Sequence, residues 1–153
     1  MISINVFSEE KGWSKKIKNK KFFFKKVCQN FPKKYKFTNK KISLSLLLSN
    51  NKCIKKLNKD FRNKNKATDI LSFPLSEKKK IFKQTYIGDI VISYDFIDKP
   101  KSQDSKVFKQ KLIKIFIHGF LHLLGFDHVK NKDYIKMLKV EKQIYQSVIL
   151  KLK

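Results

Sequence analysis

Apolar and polar residues alternate at the start of the chain, where Ile2, Ile4 and Val6 are separated by Ser3 and Asn5. A period of two marks a half-buried strand, so residues 2–7 are predicted to form one. From Trp13 the period lengthens. Apolar residues at 13, 17, 24, 27, 28 and 31, with lysines on the other face, predict one helix that Pro32 ends or follows. Alternation returns at Ile42, Leu44, Leu46 and Leu48, a second strand. Ser49 or Asn50 can cap a helix running to about Phe61, with Ile54, Leu57 and Phe61 inward. That leaves Arg62 just past its end, on a polar loop. Residues 70–75 and 86–93 read as two further strands, a hairpin-like pair joined by the lysine-rich loop 76–83. After a break over 100–105, where Asp104 or Ser105 can cap, residues 107–124 are apolar on most faces and predict a helix buried at its centre. A last amphipathic helix over 133–150 would pack Tyr134, Met137, Leu138, Ile144, Tyr145 and Val148. Four strands and four helices in irregular order predict an α+β domain, and no repeat or linker divides it.

Composition narrows the class. The 153 residues suit a single domain with one core. No apolar run approaches the ~20 residues of a membrane span, and the N-terminus has neither the basic start nor the apolar run of a signal peptide. Cys28 and Cys53 have no metal-like spacing and read as thiols of a reducing, cytoplasmic compartment. Net charge is +25, from 37 basic and 12 acidic residues, which suggests a phosphate-rich partner such as nucleic acid. Part of that charge reflects a composition rich in Lys, Asn, Ile and Phe, as AT-biased codons produce. One detail stands against the bias: the single arginine is Arg62. A guanidinium kept where every other basic residue is lysine suggests a need for its planar fork, as in a phosphate clamp.

All three histidines fall within eleven residues, at His118, His122 and His128. On a helix, residues four apart share a face, so His118 and His122 can aim at one point. Gly125 can take the left-handed conformation that ends a helix, letting the chain return with His128. Three imidazoles with an open fourth position form the donor set of a catalytic zinc site, which acidifies bound water; nickel or copper would also suit them.

The spacing matches the metzincin proteases, H-E-x-x-H-x-x-G-x-x-H, except that Gly119 stands where their general-base glutamate would be. A protease is therefore disfavoured. The run His118, Gly119, Leu121, His122, Leu123, Gly125, Asp127 and His128 instead resembles the signature H-G-x-L-H-L-x-G-x-D-H of the YbeY family of metal-dependent endoribonucleases. Arg62 with the segment Thr68 to Pro74, and the strand Gly88 to Ser93, resemble two further blocks of that family in the same order. Asn65 and Ala67 depart from its usual Asp and Pro.

The resemblance implies a small mixed four-stranded sheet packed by helices. It also implies a single-strand-specific endoribonuclease of ribosomal RNA, acting in 3′-end maturation of the small-subunit RNA and in ribosome quality control. Its metal would be one Zn²⁺ on His118, His122 and His128. In this reading Arg62 stabilises charge on the phosphate. Asp127 either orients a ligand imidazole or holds the turn through its side chain, and Ser72 and Asp89 are weaker site candidates. Two alternatives stay open: a ribosome-assembly RNA-binding factor with a structural metal, or a tri-histidine hydrolase of another substrate. The oligomeric state is left undetermined.

Overall fold

The computed structural model describes residues 1–75 and 84–152; the expected loop 76–83 lies outside the described residues. The elements run β1 (Ile2–Ser8), α1 (Gly12–Lys16), α2 (Lys20–Gln29), α3 (Lys33–Lys36), β2 (Lys41–Ser49), α4 (Asn51–Arg62), β3 (Ile70–Pro74), β4 (Gln84–Ser93), α5 (Tyr94–Ile97), α6 (Ser105–Leu123) and α7 (Asn131–Lys151). The sheet order is β1-β2-β4-β3. β1, β2 and β4 are parallel and β3 is antiparallel to β4, so the sheet is mixed. The domain is α+β, as the order of elements predicted. Among the described residues no helix is long and apolar enough to cross a membrane.

Strand alternation decides which helix covers which face. Ile42, Leu44, Leu46 and Leu48 of β2 are fully buried with Ile90 and Ile92 of β4, against α2, α6 and α7. The opposite parity, Leu47, Leu71 and Val91, meets Ile54 and Leu57 of α4 on the other face. Aromatic pairs join α2 and the residues just after it to α6: Phe24 with Phe116 at 5.0 Å between ring centroids, and Phe31 with Phe120 at 5.3 Å. Such pairs add about 0.5–1.5 kcal/mol each beyond burial, so α6 is held rigidly along its length.

Several boundaries differ from expectation. The helix expected from Trp13 to Phe31 is two helices. Ile17 is extended, and the Asn19 side chain accepts from the Phe22 N–H at 2.9 Å, starting a new helix there. An asparagine that can cap competes with helix continuation. The apolar positions are buried all the same. Pro32 follows the end of α2 and stands before the short α3. Asn50 and Asp104 take the cap positions of α4 and α6, accepting from the N–H groups of Cys53 and Val107. Phe61 is 69% exposed instead of inward, and its ring meets Phe73 edge-on. The inward position one turn earlier belongs to Asn58, 3% exposed. In α7 the buried stripe is Met137, Val140, Ile144 and Val148, whereas Tyr134 and Leu138 are exposed. The short α1, α3 and α5 bring the helices to seven among the described residues.

Candidate metal centre

His118 and His122 project from the last turns of α6, and the way this helix ends orients one of them. Gly125 has φ +89°, its N–H donates to the His122 carbonyl at 2.9 Å, and the Phe126 N–H donates to the Leu121 carbonyl at 3.0 Å. This pair of bonds is the Schellman arrangement, which needs a residue at ease in the left-handed region. It also presents the Phe126 carbonyl to His122 Nδ1 at 3.0 Å. On the other ring, His118 Nδ1 is hydrogen-bonded to the Glu141 carboxylate, which α7 brings in. A carbonyl and a carboxylate only accept, so both Nδ1 atoms carry the proton and both Nε2 atoms present bare lone pairs.

Those two Nε2 atoms are 3.1 Å apart. Two facing lone pairs repel unless a cation lies between them. An ion bound tetrahedrally at about 2.0–2.1 Å separates its nitrogen donors by about 3.3 Å, so the spacing fits a shared metal. A proton would fill the gap only by charging a ring. Burial of His122, then the neighbouring His118 and His128, hold its pKa below the usual imidazole value and oppose that. His128 completes the group: one donor atom from each of the three histidines lies within 4.8 Å of the others. It sits on the exposed segment after Gly125, its ring stacked on that of His118 at 5.6 Å.

Gly119, between the two helical histidines, lies against the sheet. A Cβ there would come within 2.6 Å of Ile70 Cδ1, 3.0 Å of Ser72 Oγ and 3.3 Å of Ile90 Cδ1. A glutamate at this position would be driven into an apolar strand face, so the missing protease base has a packing cause as well as a chemical consequence. Gly119→Ala is expected to lower stability by about 1 kcal/mol. Overpacking costs about 1–3 kcal/mol and the gain in helix propensity offsets about 1. Urea unfolding of the metal-free protein measures the difference.

The other candidates separate. Asp127 is exposed, and its carboxylate accepts from the His128 N–H at 2.7 Å, a contact within the turn and not with an imidazole. Ser72 Oγ donates to the Gly119 carbonyl at 3.4 Å, fastening β3 to α6. Asp89 is exposed, hydrogen-bonded to the Tyr86 hydroxyl, and pairs with Phe73 and Ser45 on the strands beside it. Arg62 is the last residue of α4, not a loop residue, and is exposed. Among the described residues its guanidinium makes no hydrogen bond or ion pair. The chain after it is pinned by Asn58, whose Nδ2 donates to the Lys66 carbonyl at 2.9 Å. That side chain supplies rigidity where Ala67 stands in place of a proline.

Comparison with known proteins places this chain. The family model for endoribonuclease YbeY matches residues 6–149. The chain belongs to the YbeY family. The endoribonuclease YbeY of Pelagibacter ubique is 62% identical over 148 residues, covering 97% of each chain. That of Bartonella bacilliformis is 34% identical over 155 residues, covering 99% of this chain and 96% of the relative. A solution structure from Thermotoga maritima superimposes with a TM-score of 0.57 at 27% identity, over 97% of this chain and 89% of the other.

Two residues of this YbeY chain escaped the sequence reading. Asn58 is one and Glu141 is the other. The signal for Glu141 was a carboxylate four residues after Met137 and three before Ile144, on the face α7 buries. Glu141→Gln is expected to weaken metal binding by about 10–100-fold, because partners that orient a ligand imidazole contribute at that level. Competition with a chromophoric chelator reads the affinity directly.

Proposed function

We propose that this protein is a zinc-dependent endoribonuclease that cuts single-stranded segments of ribosomal RNA in the cytoplasm, acting in small-subunit maturation and ribosome quality control. The observation that carries the metal dependence is the pair of bare Nε2 lone pairs on His118 and His122, 3.1 Å apart, with His128 beside them. Family membership supports the endoribonuclease reading. Two free cysteines suit a reducing compartment.

Each residue has a task in this reading. His118, His122 and His128 hold the metal as neutral imidazoles, and Glu141 and the Phe126 carbonyl keep the first two in the required tautomer. A bound zinc ion supplies Lewis acidity, lowering the pKa of water and offsetting phosphate charge. Arg62, exposed and without a partner among the described residues, offers its fork to a non-bridging phosphate oxygen pair. Asp127 shapes the turn that carries His128. Among the described residues the donor group has three members, and a three-donor set favours a catalytic over a structural metal.

The test is cleavage of one end-labelled sequence as single-stranded RNA, as duplex RNA and as DNA. Internal cuts are expected only in the single-stranded RNA, abolished by a chelator and restored by zinc. Tight binding without cleavage would instead favour the assembly factor. Hydrolysis of a different bond by the same loaded protein would favour the third reading.

A further inference from the structure

A broad groove lies away from the histidines. It has a volume of about 1160 Å³, between α1 and α2, the start of α6 and the end of α7. Its floor is apolar, formed by Ile17, Ile113 and Ile149, and its rim carries Lys15, Lys18, Lys26, Lys106, Lys109 and Lys151. A seventh lysine, Lys16, is neutralised by Asp98 at 3.3 Å. Among the described residues no Asp or Glu lines the groove. Phe22 stands in the wall with 55% of its surface exposed and Lys26 Nζ 5.6 Å from its ring centre. Asn19, Gln29, Asn30 and Gln110 add amides between the lysines.

Lysines scattered by codon drift would be spread over convex surface. Here they converge from four helices on one concavity with apolar walls, and of these lysines only Lys16 has an acidic partner among the described residues, which focuses positive potential. Positive rim, exposed aromatic and amides together are the features that hold a nucleic acid strand: charges for phosphates, a ring for a base, amides for base edges. An acidic peptide would use the charge and leave the ring without a role. Lys109 is nine residues before His118, about 14 Å along the α6 axis and half a turn around it, so the groove faces away from the metal centre.

We infer that this groove is a second RNA-binding site, which holds the backbone of the substrate outside the segment being cut. The inference rests on the nuclease reading for the identity of that RNA. It makes the protein selective for long substrates, because a strand that reaches both sites gains affinity that a short one lacks.

The experiment compares wild type with a Lys18→Gln, Lys26→Gln, Lys106→Gln variant. A control variant carries glutamine at Lys25, Lys33 and Lys34, exposed residues outside the groove. Single-stranded RNAs of increasing length are used, with thermal melting confirming the fold. The groove variant should cleave the shortest RNA at the wild-type rate and bind long RNA roughly tenfold more weakly. Its plot of log affinity against log salt should be shallower by about 2, since each lost phosphate contact removes about 0.7. The control should match wild type in all three. Phe22→Ala should weaken long-RNA binding while leaving binding of poly-glutamate unchanged.

Equal losses in control and groove variants would overturn the inference, as would a groove variant with wild-type affinity and slope. Poly-glutamate competing as well as RNA of equal charge would assign the groove to an acidic protein. If the wild type cuts no RNA, the nuclease reading fails, and the binding and salt data, which need no turnover, still decide the groove.

Discussion

His118→Ala is expected to abolish metal binding and reduce RNA cleavage by at least about a thousandfold. The loss has two parts. The helix face then offers one imidazole instead of two, and Glu141 is left without the ring it orients. Removing a Lewis acid forfeits several kcal/mol of charge stabilisation, and about 4 kcal/mol corresponds to that factor. His122→Ala should do the same, because its Nδ1 bond to the Phe126 carbonyl fixes the second donor. His128→Ala should retain more metal, since that ring is exposed and no hydrogen bond to its nitrogens occurs among the described residues. Elemental analysis of the three variants should therefore rank His128→Ala above the other two. Full metal content in a His118→Ala, His122→Ala double variant would contradict the assignment.

Arg62→Lys is expected to impair turnover although the charge is kept. An ammonium is a point donor and cannot make the two parallel bonds of a guanidinium. If Arg62 stabilises the charge that develops on the phosphate, the penalty is about 2–4 kcal/mol by analogy with oxyanion donors, roughly thirty- to a thousandfold. It should fall on kcat more than on KM, because the interaction strengthens in the transition state. Metal content and RNA affinity should stay near wild type, given an exposed residue at the end of α4 that is not one of the metal donors. Single-turnover cleavage with zinc measured on the same sample is the check. Wild-type rates would remove Arg62 from the catalytic set.

The sequence exposed the sheet and the metal donors for the same reason: each is a local pattern. Alternation at Ile42 to Leu48 marks the core face of β2, and four-residue spacing followed by glycine marks the histidine turn. What it hid depends either on a local competition that periodicity does not register or on partners far along the chain. The break at Ile17 to Asn19 follows from a capping side chain that outcompetes one more helical turn, while the burial pattern on either side stays in phase. Phe61 was assigned inward by periodicity, yet it sits at the end of α4, where Asn58 and the returning chain occupy the interior. Glu141 lies 23 residues from His118, and its role exists only because α7 packs against α6. Gly119 could be read as a missing base, but the reason no larger residue fits is its contact with Ile70 and Ile90, which only the packed sheet reveals.

The most direct measurement is a titration of zinc into metal-free protein, with single-turnover cleavage of a single-stranded RNA recorded at each addition. The account predicts no cleavage at zero metal, a linear rise, and a plateau at one zinc per chain. Cleavage that is undiminished without metal, or RNA that stays bound and intact at every zinc concentration, would contradict it.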